Sequence, residues 1–302
     1  MRDDWGQRGR EVLRVAAGEA PRGAGVYFFL GEGDELLYVG KAGDLRQRLR
    51  QHAGVRVPVS RLHQRYDLVR RVAWETTVDE EAAAWREADL IFALRPPYNA
   101  DPGLRATDPL GKDAPVPYVV VSEEADGRVR FHLTPDPGRH GRAYGCFPHL
   151  GKGVASRLGV ACSDGYPALL RLLWAAGGEG ERVPGAITRP APASFAVVVA
   201  DEVREKVHRF LAGARARLVD ELFDAASERP AFMRPALRRD REAALGFFAA
   251  GPALVRARRL RHGVRARALD AGTYRRLVAA EVETLIGPVG AARSGAAPRV
   301  EG

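Results

Sequence analysis

Residues 26–41 constrain this chain more than any other stretch. Two short apolar runs, Val26 to Leu30 and Glu35 to Lys41, flank Gly31-Glu32-Gly33-Asp34. Runs too short for a helix, joined by a glycine-rich turn, signal a β-hairpin. A symmetric turn centred on Glu32-Gly33 pairs residues whose numbers sum to 65. Tyr27 then lies directly opposite Tyr38, with both rings on one sheet face. Taken alone, such a tyrosine pair is ordinary packing.

The following residues extend the hairpin into an α+β unit. Asp44 reads as the N-cap of a short helix. Leu68 to Trp74 reads as a third strand, and a longer helix runs from about Asp79 to Leu94 until Pro96-Pro97 stops it. Ala83, Leu90, Ile91 and Leu94 form an apolar stripe on that helix, with Glu87 in its middle. A carboxylate facing a core must be paired, protonated or bound to a cation. Glu87 is therefore either the partner of an arginine or a metal ligand. On the shorter helix Arg48 and His52 share a face, while Leu45 and Leu49 form their own stripe. The Arg48–His52 face is either a solvated basic surface or part of a site.

In combination these residues carry a family resemblance. Gly25-Val26-Tyr27, then Tyr38-Val39-Gly40-Lys41-Ala42, then Leu45 and Arg48, resemble the two-part motif of the GIY-YIG nucleases. Glu87-Ala88-Asp89-Leu90-Ile91 followed by Pro96-Pro97-Tyr98-Asn99 is similar to the end of the UvrC-type domain. Val26 and Val39 stand where the family carries Ile, and Ala84-Trp85-Arg86 precede the acid where UvrC often has leucines. The resemblance implies a three-stranded antiparallel sheet flanked by helices over residues 20–104. It also implies a metal-dependent DNA endonuclease making single-strand incisions in nucleotide excision repair. In that scheme Glu87 holds Mg²⁺ or Mn²⁺, and Arg48 clamps the scissile phosphate. Tyr27, with its pKa lowered by the metal or Lys41, is the general base, and Tyr38 is the alternative. His52 assists proton movement or orientation, and Gly25, Gly40 and Asn99 support the site. Two rivals are a DNA- or partner-binding protein without activity on this fold, and a mobile-element or restriction-type endonuclease.

Beyond residue 104 the resemblance thins. A mixed middle region spans 115–200, with strands expected at Tyr118 to Ser122, Val129 to Leu133 and Phe195 to Ala200 and a helix near 165 to 175. Residues 201–250 are similar to a degenerate UVR helical hairpin with a break at Arg229-Pro230. Phe232, Arg239 and Asp240 are its expected contacts with a UvrB- or UvrA-type partner. A basic helical region follows over 251–286, and 287–302 reads as a disordered tail. The cysteine cluster and C-terminal domains of many UvrC proteins have no counterpart here, so the resemblance implies a shortened relative with one cutting site.

Composition enters in two places. The formal net charge of +9, from 47 Lys+Arg against 38 Asp+Glu, favours a nucleic-acid partner, although an arginine-rich composition also follows from genomic base bias. Cys146 and Cys162 are too few for a disulfide framework, and with His149 they lack a fourth metal ligand, so they read as buried thiols. With no apolar run long enough for a span and no leader-like start, a cytoplasmic protein is expected.

Overall fold

The computed structural model describes residues 6–56, 60, 62–99, 118–138, 140–150, 161–178, 180, 182–188 and 192–286. The chain forms two compact units, Met1–Arg105 with Val278–Gly302, and Ala106–Leu277. No described helix is long and apolar enough to cross a membrane. Residues 101–117, between the first domain and the middle region, and the expected tail, 287–302, lie outside the described residues.

In the first unit, strands β1 (Gly25–Leu30), β2 (Leu36–Ala42) and β3 (Arg71–Thr76) make an antiparallel sheet of order β2-β1-β3. Helices α1 (Gln7–Glu19), α2 (Leu45–Ala53) and α3 (Glu80–Leu94) flank it. Every residue of β1 is buried, as a central strand covered on both faces requires. One face carries Tyr27 and Phe29, which join a core with Leu13 and Ala17 of α1, Leu45 and Leu49 of α2, and Tyr66. Val26 and Phe28 are fully buried outside that core, and α3, which packs on β1 and β2, covers them. The caps at Asp44 and Asp79 each accept a backbone N–H in the first helical turn, from Gln47 and Ala82. Helix α1 carries no strong sequence signal and was not anticipated.

The hairpin differs from the symmetric expectation. Tyr27 pairs with Gly40 and Tyr38 with Phe29, because a short 3₁₀ turn over Glu32–Asp34 displaces the register by two residues. A two-residue shift preserves the face, so both rings still project together, with centroids 6.1 Å apart.

The second unit contains a four-stranded antiparallel sheet of order β6-β4-β5-β7, from β4 (Tyr118–Glu123), β5 (Val129–Thr134), β6 (Arg142–Tyr144) and β7 (Ser194–Val197). Its helices are α4 (Ala161–Ala176), α5 (Asp201–Leu211), α6 (Leu218–Ala225), α7 (Arg234–Phe248) and α8 (Leu254–Arg261). A last helix, α9 (Ala271–Ile286), passes from this unit into the first at Val278. The middle region and the UVR-like segment, read from sequence as separate stretches, fall within this one unit. Helix α7 packs closely on α4 at Gly165, where a Cβ would lie 2.5 Å from the Cβ of Phe247. Asp240 of α7 is buried and receives the Arg171 guanidinium at 2.6 Å. Asp240 thus stabilises this helix pair, whereas Phe232 and Arg239 are exposed.

Candidate active site

Both glycines of the paired triplets are required by close approaches. A Cβ on Gly40 would sit 2.3 Å from the Tyr27 hydroxyl and 2.8 Å from the Tyr38 ring, so only glycine lets the tyrosine ring lie across β2. A Cβ on Gly25 would meet the Glu75 carbonyl at 2.3 Å and Leu45 at 2.8 Å. Asn99 occupies the outer edge of β2 like a strand partner: its side-chain oxygen accepts from Val39 N–H at 2.8 Å, and its amide donates to Val39 O at 2.6 Å.

Tyr27 is fully buried, and its hydroxyl lies 2.7 Å from His52 Nε2. The other ring nitrogen, Nδ1, lies 2.5 Å from the Tyr66 hydroxyl. His52 therefore belongs to the buried Leu45–Leu49 stripe of α2, one turn beyond it, and the solvated-face reading fails for it. Burial and the Arg48 charge lower its pKa to about 3, so the imidazole is neutral near pH 7. Tyr66 is the residue that sequence reasoning missed. It comes from a short 3₁₀ segment, His63–Leu68, with no periodicity to mark it.

Glu87 and Arg48 complete the cluster. Lys41 N–H donates to Glu87 Oε1 at 2.9 Å, and among the described residues no ion pair reaches that carboxylate. Desolvation pushes its pKa up to about 7 against the opposing pull of the Lys41 N–H, Lys41 and Arg48. The Lys41 ammonium points instead toward Glu80, at 3.7 Å. Arg48 is exposed at the mouth, donates to Gln51 at 3.1 Å, and acts electrostatically on Tyr27, Tyr38, Tyr66, His52 and Glu87. Burial holds the Tyr27 pKa well above the ordinary phenol value, Tyr38 adds to that rise, and Arg48 opposes both.

Residues 23–100 match the family model of the UvrC-like GIY-YIG domain. This part of the chain is a UvrC-like GIY-YIG domain. The chain is similar to UvrABC system protein C from Rhizobium meliloti, 29% identical over 80% of this chain and 35% of that protein. It is also similar to UvrABC system protein C from Haloarcula marismortui, 37% identical over 43% of this chain and 23% of that protein. The chain thus spans about a third or less of the length of these relatives. Among solved structures, the GIY-YIG N-terminal endonuclease domain of UvrC from Thermotoga maritima, bound to magnesium, is 31% identical. That match covers 29% of this chain and 96% of that domain, with a TM-score of 0.26.

Around the GIY-YIG domain's cluster the donor chemistry suits a hard cation. Among the described residues no group of three or more His, Cys, Asp or Glu side chains could hold a metal. A single half-buried carboxylate beside phenol oxygens leaves most coordination positions to water and phosphate, which is the preference of Mg²⁺. Cys146 is buried and in no disulfide among the described residues, and the side chains of His149 and Cys162 lie outside the described residues.

Proposed function

We propose that this chain is a divalent-cation-dependent DNA endonuclease that makes a single-strand incision during nucleotide excision repair. Glu87 carries the reading. It is a carboxylate among apolar residues, held on one oxygen by a backbone N–H, with no ion pair among the described residues and with Tyr27, Tyr38 and Arg48 around it. Its raised pKa reports burial that the local positive charge does not offset, which is the condition a bound cation relieves. Mg²⁺ or Mn²⁺ at Glu87 would supply an acidic water and neutralise charge on the scissile phosphate.

The chain's own residues account for the rest. Arg48, exposed at the mouth, is placed to hold the phosphate and the charge that develops on it. A neutral His52 between two phenols can accept on only one nitrogen. When Tyr66 donates to Nδ1, Nε2–H donates to the Tyr27 oxygen. That donation and Arg48 oppose the burial that raises the Tyr27 pKa. Once its proton has passed to solvent, the Tyr27 phenolate would take the proton of the attacking water as the water oxygen bonds to phosphorus, and the P–O bond that breaks would leave an oxyanion that solvent protonates. Tyr38, 6.1 Å away ring to ring, is the alternative base. In the same reading Phe232 and Arg239 remain the UVR-like residues open to a UvrB-type partner, since Phe232 is 79% exposed.

The test is Glu87→Gln. Glutamine still accepts from Lys41 N–H but cannot hold a divalent cation strongly. Nicking of supercoiled or lesion-bearing DNA in Mg²⁺ should fall at least about a hundredfold, with DNA affinity changed only a few-fold. Nicking at the wild-type rate would remove the assignment.

A further inference from the structure

Residues 243–269 contain six arginines and no aspartate or glutamate. The fold divides the six by role. Arg258 turns inward: it is 1% exposed, donates to the Tyr274 hydroxyl at 2.6 Å and lies over that ring at 5.0 Å. Arg256, Arg261, Arg265 and Arg267 are exposed, and Arg259 is half-buried. Arg259 donates to the Arg265 carbonyl at 2.9 Å, which folds the loop after α8 back beside the helix. The far end of that loop is fixed to the sheet. Leu269 N–H donates to Gly145 O at 2.8 Å, Ala268 bridges Gly145, and the Tyr118 hydroxyl donates to Leu269 O at 2.9 Å. Arg267 is thereby held near β6, where it and the exposed Arg142 both act on Tyr144.

Several other arginines of this unit are matched with acids. Arg171 meets Asp164 and Asp240, Arg204 meets Glu123 and Asp201, Arg217 meets Glu221, and Arg241 meets Asp220. Among the described residues, Arg256, Arg259, Arg265 and Arg267 pair with no acid, and Arg259 Nε is buried without a partner. Like charges so arranged repel unless an anion lies over them. Burial, then Arg256 and Arg267, hold the Arg259 pKa below its ordinary value.

We propose that the arginine face of residues 254–267 is a docking surface for the phosphate backbone of DNA, a sequence-independent contact made by the second unit. The choice of DNA among polyanions rests on the nuclease reading of the GIY-YIG domain. Guanidinium groups carried on a helix and a pinned loop suit bidentate contacts to successive phosphates. Leu260 is the one large exposed apolar side chain on this stretch, too little for a membrane-inserting face.

The experiment measures binding of the full chain to a fluorescent duplex in EDTA, by anisotropy, between about 50 and 200 mM salt. The triple variant Arg256→Ala, Arg265→Ala, Arg267→Ala should lose at least about tenfold in affinity. Its salt slope should fall by roughly two to three, one unit per lost phosphate contact. Arg267→Ala alone should lose about threefold, so the idea stays exposed if the triple variant misfolds. The acid-paired control Arg217→Ala, Arg241→Ala should bind within twofold of wild type. Unchanged affinity and slope in the triple variant would overturn the surface, as would equal losses in the control or no DNA binding by wild type. Cleavage separates the two readings. If wild type nicks DNA and the triple variant is unaltered in binding and nicking, the surface falls and the nuclease stands. If binding depends on these arginines but no DNA is ever cut, the surface stands and the nuclease falls.

Discussion

Each unit contains a hydrogen bond of nearly the same length between a strand tyrosine and a helix histidine. Tyr27 lies 2.7 Å from His52 in the first unit, and Tyr144 lies 2.8 Å from His208 in the second. Each joins a buried strand tyrosine to a helix histidine, and in each burial is the main cause that lowers the histidine pKa. Their companions differ. Tyr27 has Tyr38, Glu87 and Arg48 acting on it, and His52 has Tyr66 on its second nitrogen. Tyr144 has Arg142 and Arg267 lowering its pKa and Glu205 raising it, with His208 half-buried. A phenol–imidazole hydrogen bond is thus a packing device that any sheet–helix contact can use. Of the two pairs, only Tyr27–His52 stands beside a carboxylate, Glu87, that has no ion pair among the described residues, and the proposed nuclease reading rests on that difference.

The largest expected effect separates the pairs directly. Tyr27→Phe keeps the ring in the core and removes the hydroxyl, so single-turnover nicking in Mg²⁺ should fall at least about a hundredfold, the scale of a lost general base. Tyr144→Phe in the same assay should cut within twofold of wild type. Near-normal nicking by Tyr27→Phe would move the base to Tyr38.

A smaller effect sharpens the role of the carboxylate. Glu87 has a folded-state pKa of about 7, above the ordinary 4.5. The native state therefore holds more protons than the unfolded chain between those values, and the metal-free protein should lose stability as pH rises through that window. A cation at Glu87 needs the deprotonated form, so stabilisation by Mg²⁺ should grow as pH rises toward about 7 and level off above it. Thermal melts from about pH 5 to about pH 8, with and without Mg²⁺, measure both trends. Glu87→Gln should show neither. Mg²⁺ stabilisation that is independent of pH, or that survives Glu87→Gln, would place the cation elsewhere.

Much of the first site was legible because it depends on local pattern. Asp44 and Asp79 cap helices as short polar side chains before periodic runs do. Glu87 stood out as an acid on an apolar stripe. The face shared by Tyr27 and Tyr38 survived a wrong register because strand side chains repeat every two residues. What the sequence hid depends on distant partners. Tyr66 reaches His52 only after β3 and α1 close around the sheet. Asp240 matches the expected partner motif by spacing, yet Arg171, 69 residues away, takes it into the core. The arginines of 254–267 read only as a basic stretch until the fold turned Arg258 inward and left four others without an acid among the described residues.

The smallest expected effect tests whether the second pair is packing alone. Tyr144 is 1% exposed, and its ring lies 5.9 Å from the His208 ring, so Tyr144→Phe preserves the apolar contacts and deletes one hydroxyl. His208 is half-buried, and its Nδ1 can turn to water once the phenol is gone. The loss should then be that of one ordinary hydrogen bond, about 0.5–1.5 kcal/mol, without a buried unsatisfied group added to it. In a unit of this size each kcal/mol corresponds to a melting shift of about 2–4 °C. A thermal melt near pH 7 should therefore show a drop of a few degrees, with the nicking rate unchanged. A drop several times larger would mean that the hydroxyl holds more of the sheet edge than His208. A parallel loss of nicking would join Tyr144 to the chemistry and end the distinction between the two pairs.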